Sequence, residues 1–154
     1  MLITTLSVVV VCPSRSTNSK IFFRVCASGW TYNYDTQSCY QHFPSPMNWT
    51  DARAFCQATA PYNGDLASVP DQATNDFLTT LTTERVLIGG SDFASEGNWV
   101  WSDGTLWDYE SWSPGNPSNG WGVEHYLEIN YKGNGLWNDL MLDGEFNIWF
   151  YLRI

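Results

Sequence analysis

Apolar and polar positions alternate in two short stretches, 30–34 and 39–43, on either side of a polar centre at Asp35. That pattern predicts two strands joined by a turn. Pro44, Ser45 and Pro46 then break the chain. Thr50 predicts a helix N-cap, and Ala52, Phe55, Cys56 and Thr59 follow at i, i+3, i+4 and i+7, one face of a short helix with Cys56 turned inward. The turn-forming run 61–64 ends it, and 66–69 reads as a brief extended piece. Ser68 with Asp71 three residues on resembles a capping box with Pro70 in the first turn. Thr74, Phe77, Leu78 and Leu81 line one face of a second helix. From Val86 the period changes: VLIG predicts a buried strand. Residues 89–122 are crowded with Gly, Pro, Asn, Asp, Ser and Trp, and a loop of that length in a compact domain is usually functional. Within it WVWSDG reads as a strand with alternating Trp faces. LEIN, LWND and FNIWFYLRI read as closing strands. Strands, two helices, then strands and loops predict an α+β domain with an irregular upper half.

Composition narrows the function. The chain has 154 residues, with 7 Lys+Arg against 16 Asp+Glu and a net charge of −9. One domain is expected. The acidity argues against nucleic acid as a partner, because a phosphate backbone demands a basic surface. Nine Trp exceed what a core of this size needs, so some are expected at the surface, where flat aromatic faces serve binding. Trp99, Trp101, Trp107 and Trp112 read as core and loop packing.

At the N-terminus, Leu6 to Cys12 is an uncharged apolar run followed by PSRSTNSK. It resembles the apolar core and cleavage zone of a signal peptide, though no Lys or Arg precedes it; the other reading is a buried or edge strand. The run is too short to span a bilayer as a helix, and no later stretch is apolar enough to do so. The expectation is a secreted product, with a leader over 1–19 and one domain over 20–154. Asn48-Trp49-Thr50 is the only permissive N-x-[ST] tripeptide, which makes Asn48 a candidate glycosylation site. Of four cysteines, Cys12 is expected to leave with the leader. Cys26 and Cys39 flank the predicted hairpin and are a plausible disulfide, one that stabilises by about 3 kcal/mol in the chain-entropy account. Cys56 is left over, and reads as a buried free thiol.

A family resemblance emerges from the order of the motifs. Gly29 to Tyr40 resembles the entry hairpin of C-type lectin domains, and Ala54-Phe55-Cys56 resembles the family's first helix end. Leu66 to Val69, Leu87 to Asp92, Trp99 to Gly104, Trp107, Trp112, Asn116-Pro117-Ser118 and Trp137-Asn138-Asp139 follow in family order over about residues 26–154. The resemblance implies two short helices and two small antiparallel sheets with a long irregular ligand-binding loop region. It also implies pairing of Cys26 with Cys39, a cis Asn116–Pro117 bond, and Ca²⁺-dependent binding of carbohydrate. By motif, Asn116, Ser118, Glu124, Asn138 and Asp139 would form the primary calcium and sugar site. Asp92, Glu96 and Asn119 would form an auxiliary calcium site that shares Glu124. Oxygen donors of this kind suit a hard cation, which takes about 6–8 of them.

The departures matter as much. The family's usual triplets are Glu-Pro-Asn, associated with mannose-type sugars, and Gln-Pro-Asp, associated with galactose-type sugars; here it is Asn-Pro-Ser. Ser118 is a neutral and poorer ligand, so weaker calcium binding is expected. Trp121 is a candidate for stacking on the apolar side of galactose. Two family disulfides are absent, with Phe150, Tyr126 and Leu142 at the corresponding positions. Loss of a disulfide typically costs about 2–5 kcal/mol. His42 and His125 read as ordinary polar residues. No HExxH, G-x-S-x-G or P-loop is present, and Asp103, Asp108 and Glu110 carry no glycosidase spacing, so an enzyme is not expected. The competing reading is a calcium-independent module that binds a protein or a surface.

Overall fold

The computed structural model describes residues 26–43, 47–59, 64–141 and the backbone of 149–153. The expected leader, Cys12, the break at 44–46 and Leu142 lie outside them, as does the side chain of Phe150.

The chain enters through a hairpin, β1 (Thr31–Asn33) and β2 (Ser38–Phe43), in which Tyr32 pairs with Cys39. The Asn33 carboxamide builds the turn: its Oδ1 accepts the amides of Asp35 at 2.8 Å and Thr36 at 3.2 Å. Cys26 and Cys39 are disulfide-bonded. Helix α1 spans Trp49–Thr59 and buries Trp49, Ala52 and Cys56. Its cap differs from the expectation. Asn48, not Thr50, accepts the Asp51 amide at 2.8 Å, and its Nδ2 donates back to Asp51 at 2.9 Å. Thr50 is already inside the helix and exposed.

After the two-residue strand β3 (Asp65–Leu66) comes α2 (Gln72–Leu81). Asp71 is its N-cap, accepting the Thr74 amide at 2.7 Å. The capping box expected from Ser68 therefore does not form, and Pro70 precedes the cap. Ser68 is buried, and its hydroxyl donates to Asp103 at 2.7 Å and lies 3.0 Å from Thr105. That long-range partner outcompetes a local one, because a buried hydroxyl must be satisfied wherever it lands.

The remaining strands are β4 (Val86–Ser91), β5 (Val100–Trp101), β6 (Tyr126–Ile129), β7 (Trp137–Leu140) and β8 (Trp149–Arg153). A lower antiparallel set holds β1, β2, β3 and β8, and an upper antiparallel set holds β4 to β7. The two meet where β4 and β8 run parallel. Gly90 of β4 is required by close approach: a Cβ there would lie 2.6 Å from Leu127 Cδ2.

The core has two lobes. One gathers Trp30, Phe43, Trp49, Ala52, Cys56, Leu66, Leu87, Tyr126 and Leu140. Tyr126, where the family resemblance expects a cysteine, packs its ring 5.0 Å from that of Trp49. The other lobe is built on indoles. Trp101, Trp107 and Trp112 have ring centroids 5.7, 5.7 and 5.8 Å from Trp137, and Trp99 packs on Trp107 and Trp112. The strand expected over WVWSDG shortens to the two residues of β5, but the alternation holds from Trp99 to Trp101, with both indoles buried and Val100 exposed between them.

Cys56 is buried as a free thiol, as the leftover cysteine of the sequence reading required. Burial, aided by the nearby Asp65 carboxylate, raises its pKa above the ordinary value of 9.0. Its contribution to stability is therefore complete below that value and is lost as pH rises toward the folded-state pKa. Above pH 9.0 unfolding stability should fall by up to about 1.4 kcal/mol per pH unit through this group. Denaturant titrations from pH 8 to 11 check this; an identical slope in Cys56→Ala would refute the assignment.

Candidate functional site

The site grows from the outer edge of β7. This strand ends the sheet order, and the long loop pairs with its outer side. Trp137 donates its amide to Ser111 O at 2.8 Å, and Ser113 donates to Trp137 O at 2.9 Å, with a bridge between Trp112 and Trp137. Ser113 then seeds the next turn. The Asn116 amide donates to Ser113 O at 3.0 Å and its Nδ2 to Ser113 Oγ at 2.8 Å. The Asn116–Pro117 bond is cis.

Strand alternation sends Trp137 and Asp139 to one face and Asn138 to the other. Trp137 is fully buried and anchors its indole N–H on Asn75 Oδ1 at 2.8 Å, which ties the strand to α2. Asn138 stands opposite Glu128 in the β6–β7 register. Its Nδ2 donates to Glu128 Oε1 at 2.9 Å, while its Oδ1 accepts from the Asn116 carboxamide. Glu128 is fully buried and held by Arg85 at 2.8 and 2.5 Å. That carboxylate holds the guanidinium pKa above its ordinary value. Glu128, buried and held by the exposed Arg85, thus fixes which end of the Asn138 carboxamide faces Asn116.

Asp139 is also fully buried. Its two carboxylate oxygens accept the amides of Ser118 at 2.9 Å and Asn119 at 2.5 Å. In this geometry it acts on the loop backbone. Glu124 closes the rim, accepting Ser118 Oγ at 2.9 Å and the Gly120 amide at 2.6 Å. Asn119 Oδ1 accepts the Glu124 amide at 3.4 Å. Trp121 follows in a left-handed conformation (φ 55°) and is 94% exposed, an outlying display of a large aromatic face.

The expected auxiliary set divides. Asn119 and Glu124 bond within the rim just described. Asp92 and Glu96 instead meet His125, whose Nδ1 lies 3.1 Å from Asp92 Oδ1 and 3.4 Å from Glu96 Oε2. His125 thus stands between two carboxylates, a contact the sequence reading did not foresee. The antiparallel pairing of β4 and β6 matches Ser91 with Tyr126 and so brings Asp92 beside His125. No sequence signal marks that pair before the register is known. Ser113, Glu128 and Arg85 also escaped the sequence reading, for the same reason. Of the carboxylates weighed for hydrolysis, Asp103 accepts from Ser68, and Glu110 accepts from Trp107 Nε1 at 2.8 Å.

Residues 45–142 match the family model described as the Lectin C-type domain. The chain belongs to the C-type lectin domain family. It is 38% identical over 127 residues to a lectin of Pleurodeles waltl, covering 79% of this chain and 72% of the relative. It is 34% identical over 122 residues to the galactose-specific lectin nattectin of Thalassophryne nattereri, covering 75% and 73%. Among solved structures it resembles the C-type lectin CEL-I of Cucumaria echinata, with TM-score 0.75, 25% identity, and 83% and 96% coverage. It also resembles a calcium-independent type II antifreeze protein, with TM-score 0.74, 28% identity, and 84% and 94% coverage. This C-type lectin domain thus resembles both a lectin and a calcium-independent antifreeze protein in fold.

Proposed function

We propose that this C-type lectin domain is a secreted carbohydrate-binding protein that uses the Asn116–Asp139 rim and is assisted by one weakly held Ca²⁺. The observation that supports it best is the convergence of two carboxamides, a hydroxyl and a carboxylate, from Asn116, Asn138, Ser118 and Glu124, on one rim. The Asn116 carboxamide oxygen has no partner among the described residues, and Glu124 sits at the mouth. This oxygen set fits a hard cation that takes about 6–8 oxygens, the balance coming from water and sugar hydroxyls. Bound there, the ion would anchor a hydroxyl pair electrostatically. Asn116, Ser118, Glu124 and Asn138 would hold it and orient the hydroxyls, Asp139 holds the loop that carries them, and Trp121 offers a stacking face. Glu124 sits at the mouth of the rim while the Asp139 carboxylate is taken up by loop amides, so affinity is low. The Cys26–Cys39 disulfide supports an oxidising, secretory setting. Among the described residues no helix is long and apolar enough to cross a membrane. Glycosylation at Asn48 belongs to the same reading.

A second reading has its own support. Asp139 and Glu124 are satisfied by amides and a hydroxyl of the loop itself, a rim held together by internal hydrogen bonds. That suits calcium-independent binding of a protein or a surface.

Thermal unfolding with EDTA and across a Ca²⁺ titration separates the two. Saturable stabilisation, about 2.7 kcal/mol at 100 times Kd, is expected for the first reading and should vanish in Glu124→Gln. An unchanged melting temperature at millimolar Ca²⁺ would leave the second. Trp121→Ala should weaken galactose binding about 2- to 10-fold without altering the melting temperature, as suits loss of one exposed stacking face. Full retention of galactose affinity would remove Trp121 from the site.

A further inference from the structure

We propose that Asp92, Glu96 and His125 form a separate metal site with a preference for Zn²⁺-class ions over calcium. Their ligand atoms all lie within 4.8 Å of one another. A tetrahedral Zn²⁺ centre has ligands about 2.0–2.2 Å from the metal, which sets neighbouring ligand atoms about 3.4 Å apart. The Nδ1–Oδ1 and Nδ1–Oε2 separations of 3.1 and 3.4 Å match that edge.

Chemistry decides the ion. Calcium wants a shell of oxygens. Here one of three donors is an imidazole nitrogen, which suits zinc, copper and nickel. The ligands are also held. Asp92 is 2% exposed, and its Oδ2 accepts the Gly97 amide at 2.8 Å, which leaves Oδ1 turned to His125. The main chains of Asp92 and His125 are joined by a 3.2 Å hydrogen bond, and the His125 amide donates to Leu140 O at 3.0 Å. Phe93 packs edge-on against the imidazole at 5.9 Å. Glu96, its side chain 54% exposed, leaves one side open to solvent, where a fourth ligand can enter.

The full chain should bind one Zn²⁺ at this site in calorimetry, with the His125 Nδ1 resonance displaced in a histidine ¹⁵N spectrum. The chain has two histidines, so His42→Gln assigns the signals and should leave binding intact. His125→Asn should lower affinity at least tenfold, since even indirect partners of metal ligands cost about 10- to 100-fold. Glu96→Gln, at an exposed position, should lower it too without perturbing the fold. Millimolar Ca²⁺ should not displace the ion. Equal Zn²⁺ affinity in His125→Asn and Glu96→Gln would overturn the proposal, leaving only a histidine–carboxylate ion pair. Ready displacement of Zn²⁺ by calcium would overturn it as well. Galactose binding measured on the same variants reports the rim separately.

Discussion

Trp137→Ala is expected to lower stability by about 3–5 kcal/mol, the range for removing a large aromatic side chain from a core. At this chain length that is about 10 °C or more in melting temperature. Three effects combine. The indole is fully buried among Trp101, Trp107, Tyr109 and Trp112, so its removal leaves a cavity that four rings cannot close without moving. Its N–H bond to Asn75 disappears, and the buried Asn75 carboxamide loses a partner. The backbone bonds of residue 137 to Ser111 and Ser113 are kept, but the strand that makes them is no longer anchored to α2 through the indole. Denaturant unfolding measures the loss, and near-UV circular dichroism should fall with it as the indole cluster loosens. A loss below about 1 kcal/mol would mean that the cluster repacks freely and does not hold the loop.

Asp139→Asn is expected to cost about 3 kcal/mol, although the side chain keeps its size. Two amides, of Ser118 and Asn119, now donate to one buried carboxylate. Hydrogen bonds to charged groups contribute about 1.5–3 kcal/mol each. Asparagine offers one oxygen and presents N–H₂ where the second amide already donates, so one donor loses its acceptor. The same substitution should weaken sugar binding at least tenfold, because the Ser118–Asn119 side of the turn loses its pin to β7. Amide exchange is the direct check: Ser118 and Asn119 should lose protection while Leu127 keeps it. Unchanged protection at both would refute the positioning role.

Much of this was legible from residue order. The entry hairpin, both helices, the buried β4 run and the closing strands follow from local periodicity and turn chemistry, which act between near neighbours. Errors of detail came where two local signals competed or where a local rule met a distant partner. Asn48 and Thr50 are both competent caps two residues apart. Ser68 and Asp71 form a plausible box until Asp103, 35 positions away, captures the serine hydroxyl. Rim residues Asn116, Ser118, Glu124 and Asn138 were identifiable by motif, and the structure does bring them together. Their supports were not identifiable. Glu128 looks like a surface charge in an alternating strand until the register sets it, buried, opposite Asn138.

By itself, then, the sequence determined the class of fold, the family, the cysteine pair and the loop that carries the candidate rim. These depend on composition, short-range pattern and motif order. Only the tertiary structure decided which polar groups serve one another: Asp139 on the loop amides, Glu128 beneath Asn138, and His125 beside Asp92 and Glu96. The physical reason is that a buried or convergent polar group is defined by its partner, and partners across a sheet are chosen by register, which no window of residues contains.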